Sequence, residues 1–432
     1  MQVSMETGEG LERTLTIQVP AETVEKEVEN RLKSMTSRVK VDGFRPGKVP
    51  FKIVKQQYGD QIHQEVIGDV LQTSFRDAVI QEKLNPAGNP NIVPKTMGKG
   101  EPLEYSATFE VYPEVKLGDF SKLEVERVTA TASDADVDNM IETLRKQRTT
   151  YTVVERTSQD GDQVTVSFEG FIDGVAFDGG KADSIPVVIG ASSMIPGFEE
   201  QLTGKSAGDE FSMEISFPEN YHVEDLKGKP AVFETKIISV AEAKLPELDE
   251  DFAKSFGATD GSMDSLRSDI RDNMDRELKN KLATLLKNNV MDAVLKANEI
   301  QVPKAMVDEE AANLQQQMSQ AGQLQAGMTL PKELFEQEAT RRVALGLLIG
   351  EIVKSGDIKV DRERVSAKIE EFASTYEDPQ EVIRHYQNNH QAMASVEALV
   401  MEEMVVDQIV GQAKITDVEK TFDDVMKPAA QG

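Results

Sequence analysis

Gly43-Phe44-Arg45-Pro46-Gly47-Lys48-Val49-Pro50 is the stretch from which the rest of this chain is read. Two glycines and two prolines in eight residues predict a tight, stiff loop, because glycine admits positive φ and proline locks its own. Ahead of it Val24, Val28, Leu32, Met35 and Val39 recur at helical spacing. Behind it Ile53, Val54, Ile62, Val66, Val70 and Val79 do much the same. Pro50 suits the start of the second helix, where a missing N–H costs nothing. The loop therefore joins two helices and presents Phe44, Arg45 and Lys48 at its tip. An ordinary helical hairpin with a buried phenylalanine and solvated charges fits the same spacing.

The charge around this loop runs against that of the whole chain. Arg38, Lys40, Arg45, Lys48, Lys52 and Lys55 cluster with Asp42 as the nearby acid, on a molecule of net charge −28. Such a charge opposes general nucleic-acid binding, since repulsion from phosphate dominates at long range. A local basic island suits one polyanionic surface instead.

At 432 residues the chain exceeds one ordinary core, and two to four domains are expected. Hydrophobic content of 39% with 29% charged residues describes a soluble protein. Cysteine is absent, which excludes disulfides, thiol catalysis and cysteine-based metal sites. His63, His222, His385 and His390 lack metal-ligand spacing, so no metal or cofactor is expected. Met1-Gln2-Val3-Ser4-Met5-Glu6 has neither a basic start nor an apolar core, and the longest apolar run, 343–353, is too short to span a bilayer. The expectation is a cytoplasmic protein with no membrane contact. No phosphate-binding glycine loop of the Walker type is present, so ATP is not expected to drive it.

Along the chain the texture changes three times. Leu11, Arg13, Leu15, Ile17 and Val19 predict strand before the two helices, and 103–111 alternates cleanly as a returning strand. Residues 113–150 read as a connector in which Ser133 caps a short helix carrying Val137, Ile141 and Leu144. From about Asp160 to Val240 short alternating strands with glycine turns take over. Val164, Val166 and Phe168 share one face, and so do Phe211, Met213 and Ile215. After Leu245-Pro246 the chain is helical, with restarts at Pro303, Pro331 and Pro379.

The octet around Phe44 resembles the ribosome-docking signature of the trigger factor family, and the resemblance covers essentially all 432 residues. It implies docking beside the exit tunnel, on a large-subunit protein and adjoining ribosomal RNA, through Gly43, Phe44, Arg45, Pro46, Gly47 and Lys48. Pro46 stands where some members carry a basic residue, and it stiffens the loop in return. The stretch from Asp160 to about Val240 resembles the FK506-binding type of peptidyl-prolyl isomerase. It carries Val164-Thr165-Val166-Ser167-Phe168-Glu169-Gly170, Phe177-Asp178-Gly179-Gly180, Ile195-Pro196-Gly197-Phe198-Glu199 and Pro218-Glu219-Asn220-Tyr221 in that family's order. The resemblance implies a catalytic pocket of Phe168, Phe177, Asp178, Met194, Ile195, Phe198, Tyr221 and Phe233, with His222 as an adjacent member. Ile195 would offer its N–H, Tyr221 its hydroxyl, and Phe198 the floor. Phe168 and Phe198 replace the tyrosine and tryptophan usual in small FK506-binding proteins, which weakens the case for drug binding but not for proline turnover.

The expected architecture is multidomain α+β. The resemblance implies a ribosome-binding domain at 1–112, a connector at 113–150 belonging with the C-terminal part, an FK506-binding-type domain at 151–245, and an all-α chaperone domain with two arms at 246–432, where the sequence alone gives only a helical domain. Methionine, 17 in all, suits a surface that adapts to unfolded chains, and Met306, Met318, Met328, Met393, Met401 and Met404 are the client-binding candidates. Core packing explains each of them singly. The expected activity is ATP-independent holding of nascent and unfolded polypeptides together with cis/trans isomerisation of X-Pro bonds. The rivals are a free prolyl isomerase and a general holdase, and a homodimer off the ribosome is left open.

Overall fold

Leu15, Ile17 and Val19 alternate with Thr14, Thr16 and Gln18, so only one face of their strand is apolar, and that face is buried. The computed structural model describes residues 1–40, 44, 49–221, 223–258, 260–320, 330–374, 376 and 378–427. They form two units, Met1–Arg127 with Thr284–Val418, and Val128–Ala283 with residues 419–427.

The first unit begins with a four-stranded antiparallel sheet in the order Gln2–Thr7, Glu12–Val19, Leu103–Glu110, Asn91–Thr96. Its inner face, completed by Leu103, Tyr105, Ala107 and Phe109, packs on the helices Ala21–Met35 and Phe51–Gln81 through Val24, Leu32, Val54, Ile62 and Val66. Pro50 caps the second helix, as its position predicts. One buried polar pair crosses this core, Ser74 Oγ and Tyr105 OH at 2.8 Å, and Tyr105 donates to the Leu71 carbonyl at 3.1 Å. Strand Asn91–Thr96 escapes sequence reading because Pro90 and Pro94 suggest a loop. It lies at the sheet's edge, where a proline need not donate to the ladder.

The helical part of this unit has separate apolar clusters. Lys304–Gln320 and Glu336–Ser355 pack through Val307, Ala311, Leu314 and Ala339. Arg362–Ala373, Pro379–Asn388 and His390–Val410 pack around Val365, Ile369, Val396 and Val400. Pro379 opens its helix behind an Asp378 cap, and Pro303 immediately precedes another. Strand Glu124–Thr129 pairs with Lys414–Glu419, and Arg127 grips Asp417 through two hydrogen bonds of 2.6 and 2.9 Å. The connector 113–150 thus divides, its first part lying with the helices and the rest, from Val128, with the second unit.

The second unit is built on a five-stranded antiparallel sheet. Thr150–Val154, Pro230–Lys244, Gln163–Ile172 and Val175–Val188 follow in that order, and Glu210–Ser216 pairs with Pro230–Lys244. Asp173 and Gly174, with φ of 50° and 79°, make the two-residue turn between Ile172 and Val175. Val164, Val166, Met213, Ile215 and Ile237 fill one face of the sheet beneath the short helix Phe198–Leu202. Helix Asp134–Gln147 has the cap expected at Ser133, which the structure closes into a capping box with Asp136, and it pairs with Met263–Ala297 through Asp138–Arg267 and Asp134–Arg271.

Candidate active site

Three neighbouring strands and one helix start bring the aromatics together. Phe168 and Phe233 come from adjacent strands, Phe177 from the next, and Phe198 from the first position of the short helix. Phe233 is the hub. Its ring centroid lies 5.7 Å from Phe168, 6.0 Å from Phe177, 5.7 Å from Phe198 and 6.4 Å from Phe217. The first three contacts are edge-to-face, the arrangement that sets a ring's positive rim against a neighbour's negative face. Phe217 carries Tyr221, their centroids 4.7 Å apart.

These rings line a cavity of about 430 Å³ with Gly179, Ser193, Met194, Ile195, Pro196 and Pro218. Of the nine residues expected to be catalytic, seven line it: Phe168, Phe177, Met194, Ile195, Phe198, Tyr221 and Phe233. Phe198 and Phe233 are buried in its base, while Phe168, Phe177, Met194, Ile195 and Tyr221 are half-buried and reachable. Asp178 is exposed and is not among the lining residues. His222 lies outside the described residues. A basin of this kind excludes water from an inserted ring while offering few polar groups, which suits an apolar cyclic side chain.

Glu199 shapes one wall. The residue is 8% exposed, and its carboxylate accepts N–H bonds from Gly190 and Ser192 on one oxygen and from Ser193 and Met194 on the other, at 2.7–3.0 Å. The Ser193 hydroxyl adds a fifth at 3.1 Å. Burial pushes this carboxyl up, but the N–H groups of Met194, Ser192 and Ser193 with the Ser193 hydroxyl more than offset that and hold it below the ordinary glutamate range. Among the described residues nothing accepts the Ile195 N–H, one residue further on.

Sequence reading missed Phe217 and Ser193, quoted Gly179, Pro196 and Pro218 only as motif residues without placing them in the pocket, and gave Glu199 no part. Phe217 was legible, since it continues the alternation of Met213 and Ile215. Glu199 was not, because its partners are backbone amides that carry no residue-type signal.

Residues 154–238 match the family FKBP-type peptidyl-prolyl cis-trans isomerase. Residues 1–144 match Bacterial trigger factor protein (TF), and 262–411 match its C-terminus. Trigger factors of Thioalkalivibrio sulfidiphilus and Cellvibrio japonicus are each 50% identical to this chain, over 100% of it and 99% and 100% of their own lengths. The chain belongs to the trigger factor family. It is a chaperone that carries an FKBP-type peptidyl-prolyl cis-trans isomerase domain. Among solved structures, one of the trigger factor chaperone described for promiscuous substrate recognition in folding and assembly aligns with 95% of this chain and 99% of its own. That alignment has 18% identity and a TM-score of 0.49.

Two further surfaces bear on a trigger factor. Phe44 is exposed, as are Arg38, Lys40, Lys52 and Lys55, while Gly43, Arg45, Pro46, Gly47 and Lys48 lie outside the described residues. In the helical part Met306, Met318, Met393, Met401 and Met404 are all half-buried, Met393 and Met404 against the cluster of Val365 and Val400. Met328 lies outside the described residues. Among the described residues no helix is long and apolar enough to cross a membrane.

Proposed function

We propose that this trigger factor docks on the ribosomal large subunit through the loop at Phe44, holds emerging chains on its helical part, and isomerises their X-Pro bonds in the 430 Å³ cavity. The division of labour follows the chain: docking at 1–112, connection at 113–150, isomerisation at 151–245 and holding at 246–432. The observation that carries the catalytic part is the convergence of seven expected residues on one apolar basin.

The barrier to isomerisation is lost amide resonance, roughly 18–20 kcal/mol. No nucleophile is needed. The proline ring enters over Phe198 and Phe233, which strips water from the imide and favours a nitrogen that has lost planarity. The Ile195 N–H and the Tyr221 hydroxyl meet the carbonyls on either side as the bond turns. Met194 and Phe177 flank the ring and leave room for varied neighbours, as a chaperone's client range requires.

For docking, exposed Phe44 supplies the apolar anchor, and Arg38, Lys40, Lys52 and Lys55 with Arg45 and Lys48 supply cations toward a polyanion. For holding, the half-buried methionines present flexible thioethers at the helical surface. Family membership puts this work in the cytoplasm. Pelleting with ribosomes separates this reading from a free isomerase, and turnover of a short proline peptide separates it from a pure holdase. A protein that neither pellets nor turns over the peptide overturns it.

A further inference from the structure

The loop 190–197 lends Ser193, Met194, Ile195 and Pro196 to one wall of the cavity, and at Ser192 its backbone is bent in a way that the residue does not favour. Gly190 and Gly197 have φ of 89° and 90°, and Ser192, a residue with a side chain, has φ of 54°. A serine stays in that left-handed region only where surrounding bonds over-determine it. Those bonds converge on Glu199, whose carboxylate takes the N–H groups of Gly190, Ser192, Ser193 and Met194. No cation is among its partners within the described residues, so backbone N–H dipoles and the Ser193 hydroxyl balance the buried charge.

We propose that Glu199 is a positioning residue for proline turnover: by gathering the amides of Gly190, Ser192, Ser193 and Met194 it fixes the loop so that the next N–H, that of Ile195, is left for the substrate carbonyl. The inference rests on the reading of the cavity as the isomerase site. Met194 and Ile195 touch the substrate there, while Glu199 acts only through them. A glutamine in its place keeps the volume but offers one acceptor oxygen, and its amide group faces N–H donors with donors of its own. The wall then loses its single shape. A tie that served only folding would show in stability and leave the cavity's affinity alone.

The test uses the full-length protein and a short proline peptide, with kcat and KM measured separately. The parent must turn the peptide over, and if it does not, the isomerase reading and this proposal fall together. Glu199→Gln is expected to speed hydrogen exchange over 190–194 and to raise KM about tenfold, as loss of charge-assisted bonds to the wall predicts. A mere loss of folded protein lowers kcat and leaves KM unchanged. Glu200→Gln, at the exposed neighbouring position, is the control and leaves both constants as they are. Should Glu199→Gln fail to fold, Ser193→Ala removes only the hydroxyl bond and is expected to raise KM about two- to threefold. A folded variant with a loosened loop and an unchanged KM, or an unchanged KM in Ser193→Ala, overturns the proposal.

Discussion

The ring of Phe177 lies so close to Gly170 that a Cβ on that glycine would stand 2.7 Å from Phe177 Cε1 and 2.8 Å from Phe233 Cε1. Gly180 flanks the same ring, where a Cβ would stand 2.8 Å from Phe177 Cζ. Two glycines thus make the slot in which this wall of the cavity sits. Gly170→Ala should push both rings off their places, destabilise the domain by about 1–3 kcal/mol and lower kcat/KM. Adding Phe177→Leu should restore part of the stability by vacating the slot. Urea unfolding of the single and double variants checks this, and equal stabilities would show that the slot is not tight.

Catalysis and holding are expected to separate, because the aromatic basin and the half-buried methionines lie in different units. Phe198 is fully buried, so truncation to alanine would risk the fold. Phe198→Leu keeps most of the volume and should reduce peptide turnover about tenfold through a poorer floor for the ring. Suppression of client aggregation should be unchanged. Parallel assays on one preparation decide it, and a folded variant with normal turnover would remove Phe198 from the site.

Thr235 is 3% exposed, and its Oγ1 has no hydrogen-bond partner among the described residues. A buried hydroxyl without a partner loses its hydration for nothing, at a cost of about 1–3 kcal/mol. Thr235→Val keeps the shape and the β-branching suited to a strand, so it should stabilise the domain by about 1 kcal/mol. Thermal and urea unfolding measure the gain directly, and a loss of stability would mean that the hydroxyl is satisfied in solution.

Glu199 titrates below the ordinary glutamate range, so its contribution to stability is complete above that range and disappears as pH falls through the lowered value. The stability gap between parent and Glu199→Gln should therefore be widest near neutrality. It should shrink as pH drops below ~4, where the unfolded carboxyl and then the folded one take up protons. Urea midpoints of both proteins across that window test the sign. A gap that stays constant into acid would show that the charge on Glu199 contributes nothing.

Replacing Phe44, Arg45 and Lys48 together by alanine should abolish pelleting with ribosomes and leave peptide turnover intact. Pro46→Ala should weaken docking about two- to fivefold, the effect of ~0.4–1 kcal/mol of backbone restraint, with little dependence on salt. Binding curves at low and high salt distinguish this from loss of a charge contact, which would flatten the salt dependence.

Most of the aromatic set was reached through the resemblance to the FK506-binding type of isomerase; the helices on either side of the octet and the strand alternation at 11–19 and 103–111 follow from the sequence alone. Each of these rests on a period or a residue type that a chain carries locally. Helical spacing marks Val54, Ile62 and Val66, and alternation marks Leu15, Ile17 and Val19 as inward. Tertiary structure alone decided what depends on residues far apart meeting. An edge strand can hold Pro94 because it has a neighbour on one side only and needs no N–H toward the other. Phe177 lies beside Gly170 because the pairing of their two strands shifts register between Glu169 and Phe171, and a glycine's missing Cβ leaves no trace in any local pattern. Glu199 looked like one more acid on a short helix until the fold wrapped four backbone amides around it. Backbone donors are the same at every residue, so only their arrangement in space could reveal what that carboxylate holds.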